Sequence, residues 1–404
     1  MERAEVHRIL LVHNYYQTPG GEDTVVANEK KLLEERGHEV FLYTRDNGEL
    51  MRMGKLKKLL LPFTALFSLR TYREVCGIIR AKRIDIVHVH NTLALVSPSV
   101  YFAAFRRGVP VVQTLHNFRL ECPGATFYRD GRVCEDCLTR GLKCAVRHRC
   151  YRGSRAQTLM QASILHLYRA LGVYRRLNYI CLTEFNREKL LLLNRPGRRQ
   201  VVDPDRVFVK PNFTFENAAP RGEADYFLFL GRVEALKGLD VLIDAFRGLP
   251  DEKLMIAGSG PDFQAYAARA KGADNISFAG QLGREEVKAA LAAAKAVIAP
   301  SQWYEGFPMV VVEAYAAGVP VLGSDLGNIG ALIEDGRTGL RFRYDSAEDL
   351  RAAVRRFLSA DARLWGQNAR DLYRARYSPG ANGAALEEIY RRAAGSGRGA
   401  GRSS

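Results

Sequence analysis

Two halves of this 404-residue chain repeat one local pattern, in which a short apolar segment is followed by a loop and an amphipathic helix. Such alternation indicates parallel sheets, because a parallel pair of strands needs a long crossover connection that a helix usually provides. The chain is therefore predicted to be an α/β protein. The predicted strands of the first half are Ile9–His13, Val40–Tyr43, Ile86–His90, Val111–Leu115, Tyr179–Thr183 and Val207–Lys210. Those of the second half are Tyr226–Leu230, Lys253–Ala257, Ile276–Ala279, Ala296–Ala299 and Val319–Gly323.

The length exceeds that of one ordinary domain, and the segment Pro211–Ala224, rich in Pro, Asn and Gly, is the expected linker. We expect two doubly wound, Rossmann-like domains over residues 1–212 and 213–377. The Gly-, Ser- and Arg-rich residues 395–404 are expected to form a disordered tail. The predicted helices are Thr24–Arg36, a long helix near Arg155–Arg176, Leu239–Arg247, Asp262–Lys271, Glu285–Ala294 and Pro308–Ala317.

The net charge is +16, and the excess of Lys and Arg is concentrated in the first half. A basic balance favours polyanionic partners such as nucleic acid, anionic lipid or phosphorylated substrates, although a solvated Arg-rich surface explains it equally well. Residues 51–75 mix cations with Leu and Phe, which fits a helix resting on anionic lipid or a core-facing helix with a basic outer side. Since no aromatic RNA-binding signature or basic repeat occurs, nucleic acid is not expected as a partner.

The first residues pass from charged side chains directly into a strand-like segment, so no signal peptide is expected. The longest apolar stretch, Leu59–Leu69, is interrupted by Pro62, Thr64 and Ser68 and is too short to span a bilayer. We therefore expect a cytoplasmic protein that can attach peripherally to the inner face of the plasma membrane.

The segment GRVEALKG, residues 231–238, follows a predicted strand, and open parallel sheets bind ligands beyond the carboxyl ends of their strands. Gly231 allows the chain to turn close to a ligand. Arg232 and Lys237 stand just before a helix whose N-terminus also attracts anions. This pattern favours phosphate binding over a surface loop with two solvated cations.

The segment YEGFPMVVVEA, residues 304–314, places two carboxylates around an apolar run. Pro308 suits the first position of a helix, and the helix is apolar nearly all round, which predicts burial. The N–H groups of Gly306–Val310 can hold an anion. Glu305 precedes the helix, whereas Glu313 falls in its second turn, where a carboxylate is costly unless it is hydrogen-bonded. Polyol hydroxyls would supply donors; alternatively, one glutamate favours the helix dipole and the other pairs with Arg or Lys.

Polar residues also follow strands of the first half. Gly20–Gly21 permits close backbone approach to a ligand, although a double glycine also marks ordinary turns. His116, and likewise His90 with Asn91, stand at strand ends, where a histidine can polarise a group or move a proton, or can be purely structural. Neither half contains a G-x-G-x-x-G fingerprint. Asp203-Pro204-Asp205 lies in a predicted turn, so no metal site is expected there.

Five of the seven cysteines fall within 29 residues. Two of them have the C-x-x-C spacing of metal ligands, and in a cytosolic protein such a cluster favours metal over disulfides. The predicted ligands of a structural zinc ion are Cys122, Cys134, Cys137 and Cys150. Cys144 or His148 is an alternative fourth ligand, and redox chemistry or free thiols stay open.

The segments GRVEALKG, IAGSGPD and PSQWYEGFPMVVVEAYAAGVPVLGSD, in this order and spacing, resemble glycosyltransferase family 4. Its members are retaining sugar-nucleotide transferases with the GT-B fold, and Glu305 and Glu313 match the family's E-x7-E motif. HNYYQTPGGEDTVV and LHNFRLECPGATFYRDGRVCEDC are similar to the family's N-terminal acceptor domain. The resemblance covers almost the whole chain. It implies two Rossmann-like domains that face each other across a cleft, with a last helix, residues 378–394, that returns to the first domain.

The resemblance also implies roles for the second-half residues. Arg232 and Lys237 would neutralise the donor's diphosphate, Glu305 would bind hydroxyls of the transferred sugar, and Glu313 would bind the ribose. Fixed cations and a helix dipole can stabilise the departing diphosphate, so catalysis is expected to need no metal ion. The expected donor contacts are Gly20, Gly21, Arg232, Lys237, Glu305, Gly306, Phe307, Pro308, Met309, Val310 and Glu313.

In the first half, the resemblance implies that Gly20–Gly21 would approach the same diphosphate and that His116 would contact and align the sugar. The expected catalytic residues are therefore His116, Glu305, Arg232 and Lys237. One departure concerns Asn328–Ile329–Gly330, which stands where family members often show a Gly-Gly or Gly-x-x-Glu turn.

The predicted function is transfer of a sugar from a UDP- or GDP-sugar to a lipid-linked or polysaccharide acceptor in cell-envelope glycan synthesis. A sugar-nucleotide epimerase or phosphorylase of similar architecture is one alternative. A basic zinc-containing module that binds nucleic acid or membrane is another. A glycoside hydrolase fits less well, because its two carboxylates must face each other across the scissile bond and Arg232 and Lys237 would have no role.

Overall fold

The structure is a computed structural model that describes residues 6–16, 20–55, 59–215 and 225–399. The chain divides into two compact units. Unit 1 comprises the residues up to Ala125, Glu135–Pro211 and the residues from Asn382 onward, and unit 2 comprises Thr126–Cys134 and Asn212–Ala381. Most of the expected linker, residues 216–224, lies outside the described residues.

Within the described residues, each unit contains a six-stranded sheet in which all neighbouring strands are parallel. The fold class is therefore α/β, as the alternating pattern predicts. The strands of the first half are β1 Arg8–Tyr15, β2 Glu39–Asp46, β3 Ile86–Val89, β4 Val111–Leu115, β5 Tyr128–Arg129, β6 Arg132–Val133, β7 Asn178–Cys181 and β8 Val207–Val209. Of these, β5 and β6 form a separate two-stranded hairpin, and the other six form the sheet of unit 1. Those of the second sheet are β9 Tyr226–Leu230, β10 Leu254–Ala257, β11 Ile276–Gly280, β12 Ala294–Ala299, β13 Val321–Ser324 and β14 Gly339–Phe342.

Helices follow most strands, as crossover connections require. In the first part of the chain they are α1 Gly21–Glu35, α2 Glu49–Arg52, α3 Leu61–Leu66, α4 Leu69–Lys82, α5 Ser99–Arg106, α6 Asp136–Thr139, α7 Lys143–His148, α8 Arg155–Ala170 and α9 Glu184–Leu191. The later helices are α10 Leu239–Arg247, α11 Phe263–Ala270, α12 Arg284–Ala292, α13 Met309–Ala316, α14 Gly327–Leu332, α15 Ala347–Leu358, α16 Ala362–Leu372 and α17 Pro379–Gly399. Among the described residues, no helix combines the length and apolar character that crossing a bilayer would need.

The strand orders fix where a ligand can bind in each unit. In unit 1 the order is β2-β1-β3-β4-β7-β8, so the direction of winding reverses between β1 and β3. In unit 2 the order is β11-β10-β9-β12-β13-β14, and the reversal lies between β9 and β12. A crevice forms at the carboxyl ends of the strands at such a reversal, so the loops after β1, β3, β9 and β12 are the natural ligand-binding positions.

The core of unit 2 lies on both faces of its sheet. The strands are apolar along their whole length because both of their faces are buried. Phe227 of β9 packs into a cluster on one face together with Leu242 and Phe246. The next residue, Leu228, packs into a second cluster with Val312 and Tyr315. The second cluster places α13 against the sheet beside the reversal.

Several predicted boundaries differ from the structure. The predicted long helix ends at Ala170, and Tyr174–Arg176 forms a separate 3₁₀ turn. β14, which is only four residues long, was not predicted, and neither was the β5–β6 hairpin. α17 continues to Gly399, so the disordered tail expected from residue 395 does not begin there. Residues 400–404 lie outside the described residues.

Candidate functional site

The loop after β9 carries the predicted phosphate-binding cations. Ala235–Lys237 forms a 3₁₀ turn that ends at Gly238, whose φ is +72°. A Cβ atom at Gly238 would lie 2.0 Å from the carbonyl oxygen of Pro300, so a side chain cannot be accommodated there. The backbone N–H of Gln302 donates to the carbonyl of Leu236 at 2.9 Å. These contacts hold Lys237 beside the loop that follows β12.

Lys237 and Glu305 form an ion pair at the sheet reversal. The Lys237 ammonium lies 2.5 Å from Oε1 of Glu305, and the hydroxyl of Ser301 donates to the same oxygen at 2.6 Å. The side-chain amide of Asn328 donates to the carbonyls of Glu305 at 2.6 Å and Gly306 at 2.7 Å. Asn328, which stands out in the sequence only as a departure from the family pattern, therefore fixes the backbone that presents Glu305.

The helix after Glu305 begins one residue later than predicted. Pro308 is the N-cap with φ −77° and ψ 93°, and α13 starts at Met309. Proline still suits this position because it has no N–H to leave unpaired. Val311 and Tyr315 of α13 are buried in the core, as its apolar sequence predicts.

Glu313 lies on α13 and is largely enclosed. Burial raises the pKa of its carboxyl above the ordinary value. The side-chain carboxylate of Glu313 has no hydrogen-bond or ion-pair partner within the described ranges, although a carboxylate in such surroundings normally requires one. Its side chain is therefore available to a ligand.

Arg232 does not join the Lys237–Glu305 pair. Its guanidinium is about half exposed and lies 4.0 Å from the Glu234 carboxylate. The neighbouring segment Gly258-Ser259-Gly260 has a packing role. Gly258 has φ +139°, and a Cβ there would lie 1.8 Å from the carbonyl oxygen of Gly231. This segment therefore supports the backbone of the loop 231–238, which carries Arg232 and Lys237.

In unit 1, Gly20 and Gly21 stand at the start of α1, next to the reversal between β1 and β3. Gly20 is the N-cap, and its N–H donates to Oδ2 of Asp23 at 2.9 Å. The other Asp23 oxygen lies 2.8 Å from Nε2 of His13. Among the described residues, no atom lies within 4 Å of the position that a Cβ at Gly20 would take, so Gly20 leaves space on this side of the backbone.

His116 and His90 meet at the carboxyl ends of neighbouring strands. Their rings stack with centroids 5.2 Å apart, and Nδ1 of His90 lies 2.9 Å from Nε2 of His116. Asn91 has a structural role, because its amide donates to the carbonyl of Asn14 at 2.9 Å and its oxygen accepts from the N–H of Leu93 at 3.0 Å. Of the predicted first-half residues, the structure therefore brings together His90 and His116, which directly follow β3 and β4.

Both halves match known sequence families. Residues 19–202 match the family described as Glycosyltransferase Family 4, and residues 212–372 match that described as Glycosyl transferases group 1. The chain belongs to glycosyltransferase family 4. The chain is 34% identical over 177 residues to a D-inositol 3-phosphate glycosyltransferase of Corynebacterium aurimucosum, and the alignment covers 40% of the chain and 42% of the relative. It is 38% identical over 117 residues to a phosphatidyl-myo-inositol mannosyltransferase of Mycobacterium leprae, with coverages of 28% and 31%.

The alignments thus span about a third to two fifths of the length of these two curated relatives. A solved Anabaena structure, crystallised in complex with UDP, superimposes on 95% of the chain and on 100% of its own chain. The TM-score is 0.66 at 16% sequence identity. These likenesses show that the chain has the GT-B fold.

Sequence reasoning missed a buried ion pair in unit 1. Glu29 and Lys210 are both 0% exposed, and their side chains lie 2.8 Å apart. Burial would raise the pKa of Glu29, but the Lys210 ammonium and the adjacent His90 and His88 hold it well below the ordinary value. A signal exists, since Glu29 falls three residues after buried Val26 on α1. The sequence does not reveal its partner, which lies 181 residues away.

Glu22 is a second residue that the sequence does not single out. Its Oε1 lies 3.8 Å from Nδ1 of His13, and burial raises the pKa of Glu22 to about 8, although contacts with Tyr16 and Arg119 act in the opposite direction. A carboxyl that is protonated at neutral pH beside Gly21 can donate a hydrogen bond to a ligand.

The predicted zinc ligands are divided between the units. Cys122, Cys137 and Cys150 belong to unit 1, whereas Cys134 belongs to the hairpin segment of unit 2. The Cys122 and Cys137 thiols are hydrogen-bonded to each other. This hydrogen bond is the main cause that raises the pKa of Cys137, and burial is the second. The close spacing of metal ligands is found at another place. Within the part of the chain that the structure describes, Glu29, His88 and His90 have donor atoms that all lie within 4.8 Å of one another.

Proposed function

We propose that this transferase moves a sugar, with retention of configuration, from a nucleoside diphosphate sugar to a lipid-linked or polysaccharide acceptor in cell-envelope glycan synthesis. The observation that carries the proposal is the pairing of Lys237 with Glu305 at the sheet reversal of unit 2, together with Glu313, which has no partner among the described residues. A cation, a carboxylate held by hydrogen bonds and a helix N-terminus at one crevice suit a ligand that combines phosphate with hydroxyl groups.

The chain's own groups can stabilise the leaving diphosphate. An ammonium group has three N–H donors, so Lys237 can keep its bond to Glu305 and still donate to phosphate oxygens. Arg232 and the backbone N–H groups of Phe307, Met309 and Val310 would add charge and hydrogen bonds where negative charge develops. We therefore propose catalysis without a metal ion. Glu305 would bind hydroxyls of the transferred sugar, and Glu313 would bind the ribose.

His116 of unit 1 would contact and align the sugar, and the backbone at Gly20–Gly21 would approach the diphosphate. The UDP complex of the Anabaena neighbour supports a nucleotide-sugar donor, so UDP-sugars are the first to test, followed by GDP-sugars.

The basic first half of the chain and a cavity lined by cations and apolar side chains support two further proposals. One is an anionic, lipid-linked acceptor, and the other is peripheral attachment to the inner face of the plasma membrane. Residues 1–211 contain 36 Lys and Arg against 20 Asp and Glu, whereas residues 212–404 contain 24 of each. Unit 1 also has a cavity of about 720 Å³ with Leu142, Leu193 and Val201 in its lining. Arg140, Lys143, Arg195, Arg198 and Arg199 also line it, and none of its described lining residues is acidic.

A vesicle experiment tests the membrane proposal. The chain is expected to bind phosphatidylglycerol vesicles and not phosphatidylcholine vesicles, and Arg198→Glu/Arg199→Glu is expected to weaken binding more than Arg284→Glu/Lys288→Glu in unit 2. Equal binding of both vesicle types would contradict it.

The decisive experiment for the activity is a transfer assay with UDP- and GDP-sugars and lipid-diphosphate or oligosaccharide acceptors, followed by NMR of the product's anomeric configuration. Retention and complete dependence on the acceptor are expected. A sugar that changes configuration without an acceptor would instead identify an epimerase. The proposal fails if Glu305→Gln and Lys237→Ala both leave transfer from every active donor unchanged.

We also propose that Cys122, Cys134, Cys137 and Cys150 hold a structural zinc ion. The C-x-x-C spacing and the contact between the Cys122 and Cys137 thiols support it. About one zinc per chain is expected by elemental analysis of purified protein. A zinc content near zero in a protein that is fully folded would overturn this proposal.

A further inference from the structure

A row of buried polar side chains in unit 1 leads from the end of β8 to His116. The Lys210 ammonium lies 2.8 Å from Oε1 of Glu29. Oε2 of Glu29 lies 3.3 Å from Nε2 of His90, and Nδ1 of His90 lies 2.9 Å from Nε2 of His116. Glu29, Lys210 and His90 are nearly or fully inaccessible to water. Protons along this row are therefore governed by the neighbouring groups rather than by solvent.

The contact between Glu29 and His90 places a proton on Nε2 of His90. Neither Oε2 of Glu29 nor Nε2 of His90 has a regular hydrogen-bond partner among the described residues, and the two atoms face each other. An ionised carboxylate can only accept hydrogen bonds, so the imidazole nitrogen must be the donor. Lys210, fully buried beside Oε1, keeps Glu29 ionised.

The contact between the two histidines then settles the tautomer of His116. A neutral imidazole carries one N–H, so His90, protonated at Nε2, offers a lone pair at Nδ1. At 2.9 Å this lone pair accepts a hydrogen bond from Nε2–H of His116. Burial lowers the pKa of His116 well below the ordinary value, which keeps it neutral.

We propose that Glu29 and His90 are positioning residues, which hold His116 as the Nε2–H tautomer so that its Nδ1 accepts a hydrogen bond from a hydroxyl of the transferred sugar. The proposal rests on the proposed function for the contact between His116 and the sugar, but the tautomer itself does not depend on a ligand.

Hydrogen bonds to the last helix hold this row of side chains in place. Lys210 also donates to Oδ1 of Asn382 at 2.7 Å, and the hydroxyl of Tyr390 lies 2.8 Å from Nδ1 of His88. Both partners belong to α17, so this helix closes the row on unit 1. Although Glu29, His88 and His90 have the spacing of metal ligands, the Lys210 ammonium supplies the positive charge that a metal would bring.

Nitrogen-15 NMR of the full-length chain with labelled histidines tests the proposal, because ring nitrogen shifts differ between protonated and unprotonated sites. The His116 signals are assigned by their loss in His116→Asn. In the wild type without ligand, His116 is expected to carry its proton on Nε2 and a lone pair on Nδ1. A proton on Nδ1, or a doubly protonated ring at pH 7.5, would overturn the proposal.

Two substitutions of His90 separate its two contacts. The amide of His90→Gln can reach the position of Nε2 and keep a donor for Glu29, but it offers no acceptor to His116. The amide oxygen of His90→Asn can take the position of Nδ1. We expect His90→Gln to abolish the single tautomer and to lower kcat about tenfold at unchanged donor KM. His90→Asn is expected to retain the tautomer and most of kcat.

His38→Gln is the control, because His38 is a buried histidine of the same unit that contacts Glu387 instead of the row. It is expected to change neither the His116 signals nor kcat. If His90→Gln leaves the His116 tautomer unchanged, the positioning role is wrong even where transfer is active. If the wild type shows the predicted tautomer but transfers no sugar, the proposed function fails and the tautomer assignment stands.

Discussion

The two units bury charge in different ways. In unit 1, Glu29 and Lys210 are both fully buried, and each is surrounded by further polar partners. In unit 2, the corresponding pair is Lys237 with Glu305, whose side chains are 21% and 11% exposed at the end of a strand. Glu313 nearby has no partner within the described residues.

This difference separates a structural role from a ligand-binding role. A fully buried pair cannot exchange partners, and removing one member leaves an uncompensated charge in the interior. A pair at the mouth of a crevice can share its donors with a ligand at little cost. Substitutions in the buried pair should therefore change stability, and those in the accessible pair should change activity.

The largest effect is expected for Lys210→Met, which leaves Glu29 buried without its counter-charge. Loss of about 3–5 kcal/mol in the free energy of unfolding is expected, as measured by urea denaturation. Glu29→Gln/Lys210→Met should recover part of the loss. The control is Lys253→Met, which breaks an ion pair with Asp225 whose side chains are 64% and 58% exposed and should cost less than about 1 kcal/mol. Equal losses at both sites would refute the distinction.

Lys237→Ala and Glu305→Gln are expected to lower kcat/KM for transfer by about 10²–10³-fold, because each removes a group that stabilises developing charge or orients the sugar. Their melting temperatures should stay close to that of the wild type. Lys288→Ala, which breaks a peripheral pair with Glu285 in the same unit, is the control and should leave kcat/KM unchanged. A large loss of stability with normal activity in the folded fraction would contradict a ligand-binding role for the pair.

A smaller effect depends on pH and concerns Glu22, whose side chain is 10% exposed. Burial raises the pKa of this carboxyl from 4.5 to about 8 in the folded chain. Between these values the folded state binds the proton more tightly than the unfolded state, so this contribution to stability is complete below about pH 4.5 and is lost as the pH rises towards 8. Relative to Glu22→Gln, the wild type should lose about 1.4 kcal/mol of its free energy of unfolding per pH unit within this range, as measured in denaturation experiments. Parallel pH profiles would show that Glu22 is ionised at neutral pH.

The smallest effect is expected for Glu313→Gln, which keeps the shape and an acceptor oxygen but removes the charge. We expect the donor KM to rise about tenfold, which corresponds to one charged hydrogen bond, with kcat changed less. Steady-state kinetics with the active donor sugar measure this. An unchanged donor KM would show that Glu313 does not bind the ribose and has a structural role instead.

The second unit was the more predictable from sequence. Its cations, glutamates and helix start lie in two short continuous segments, and each follows a strand whose apolar run is easily recognised. Pairing of one glutamate with Arg or Lys was an alternative from the sequence, but the specific pair of Lys237 with Glu305 was not predicted, because it depends on Gly238 and Pro300 bringing two loops together. The helix start was placed one residue early, since proline can occupy either the N-cap or the first helical position.

The first unit was less predictable because its polar contacts join residues far apart in the chain. Glu29 and Lys210 are separated by 181 residues, and His88 and Tyr390 by 302. Local patterns can flag Glu29 as a charge on a buried helix face, but they cannot identify which cation reaches it. The six strands of the sheet were nevertheless found, since each is an apolar run bounded by polar residues.

Calorimetric titration of the full-length chain with UDP, GDP and their sugars tests the central claim most directly, because it measures binding at unit 2 without an acceptor. One nucleotide series is expected to bind with a stoichiometry of one, to be weakened at least about tenfold by Lys237→Ala, and to be unaffected by Lys288→Ala. Absence of binding by both series, or equal affinity for the wild type and Lys237→Ala, would contradict the assignment of this site to a nucleoside diphosphate sugar.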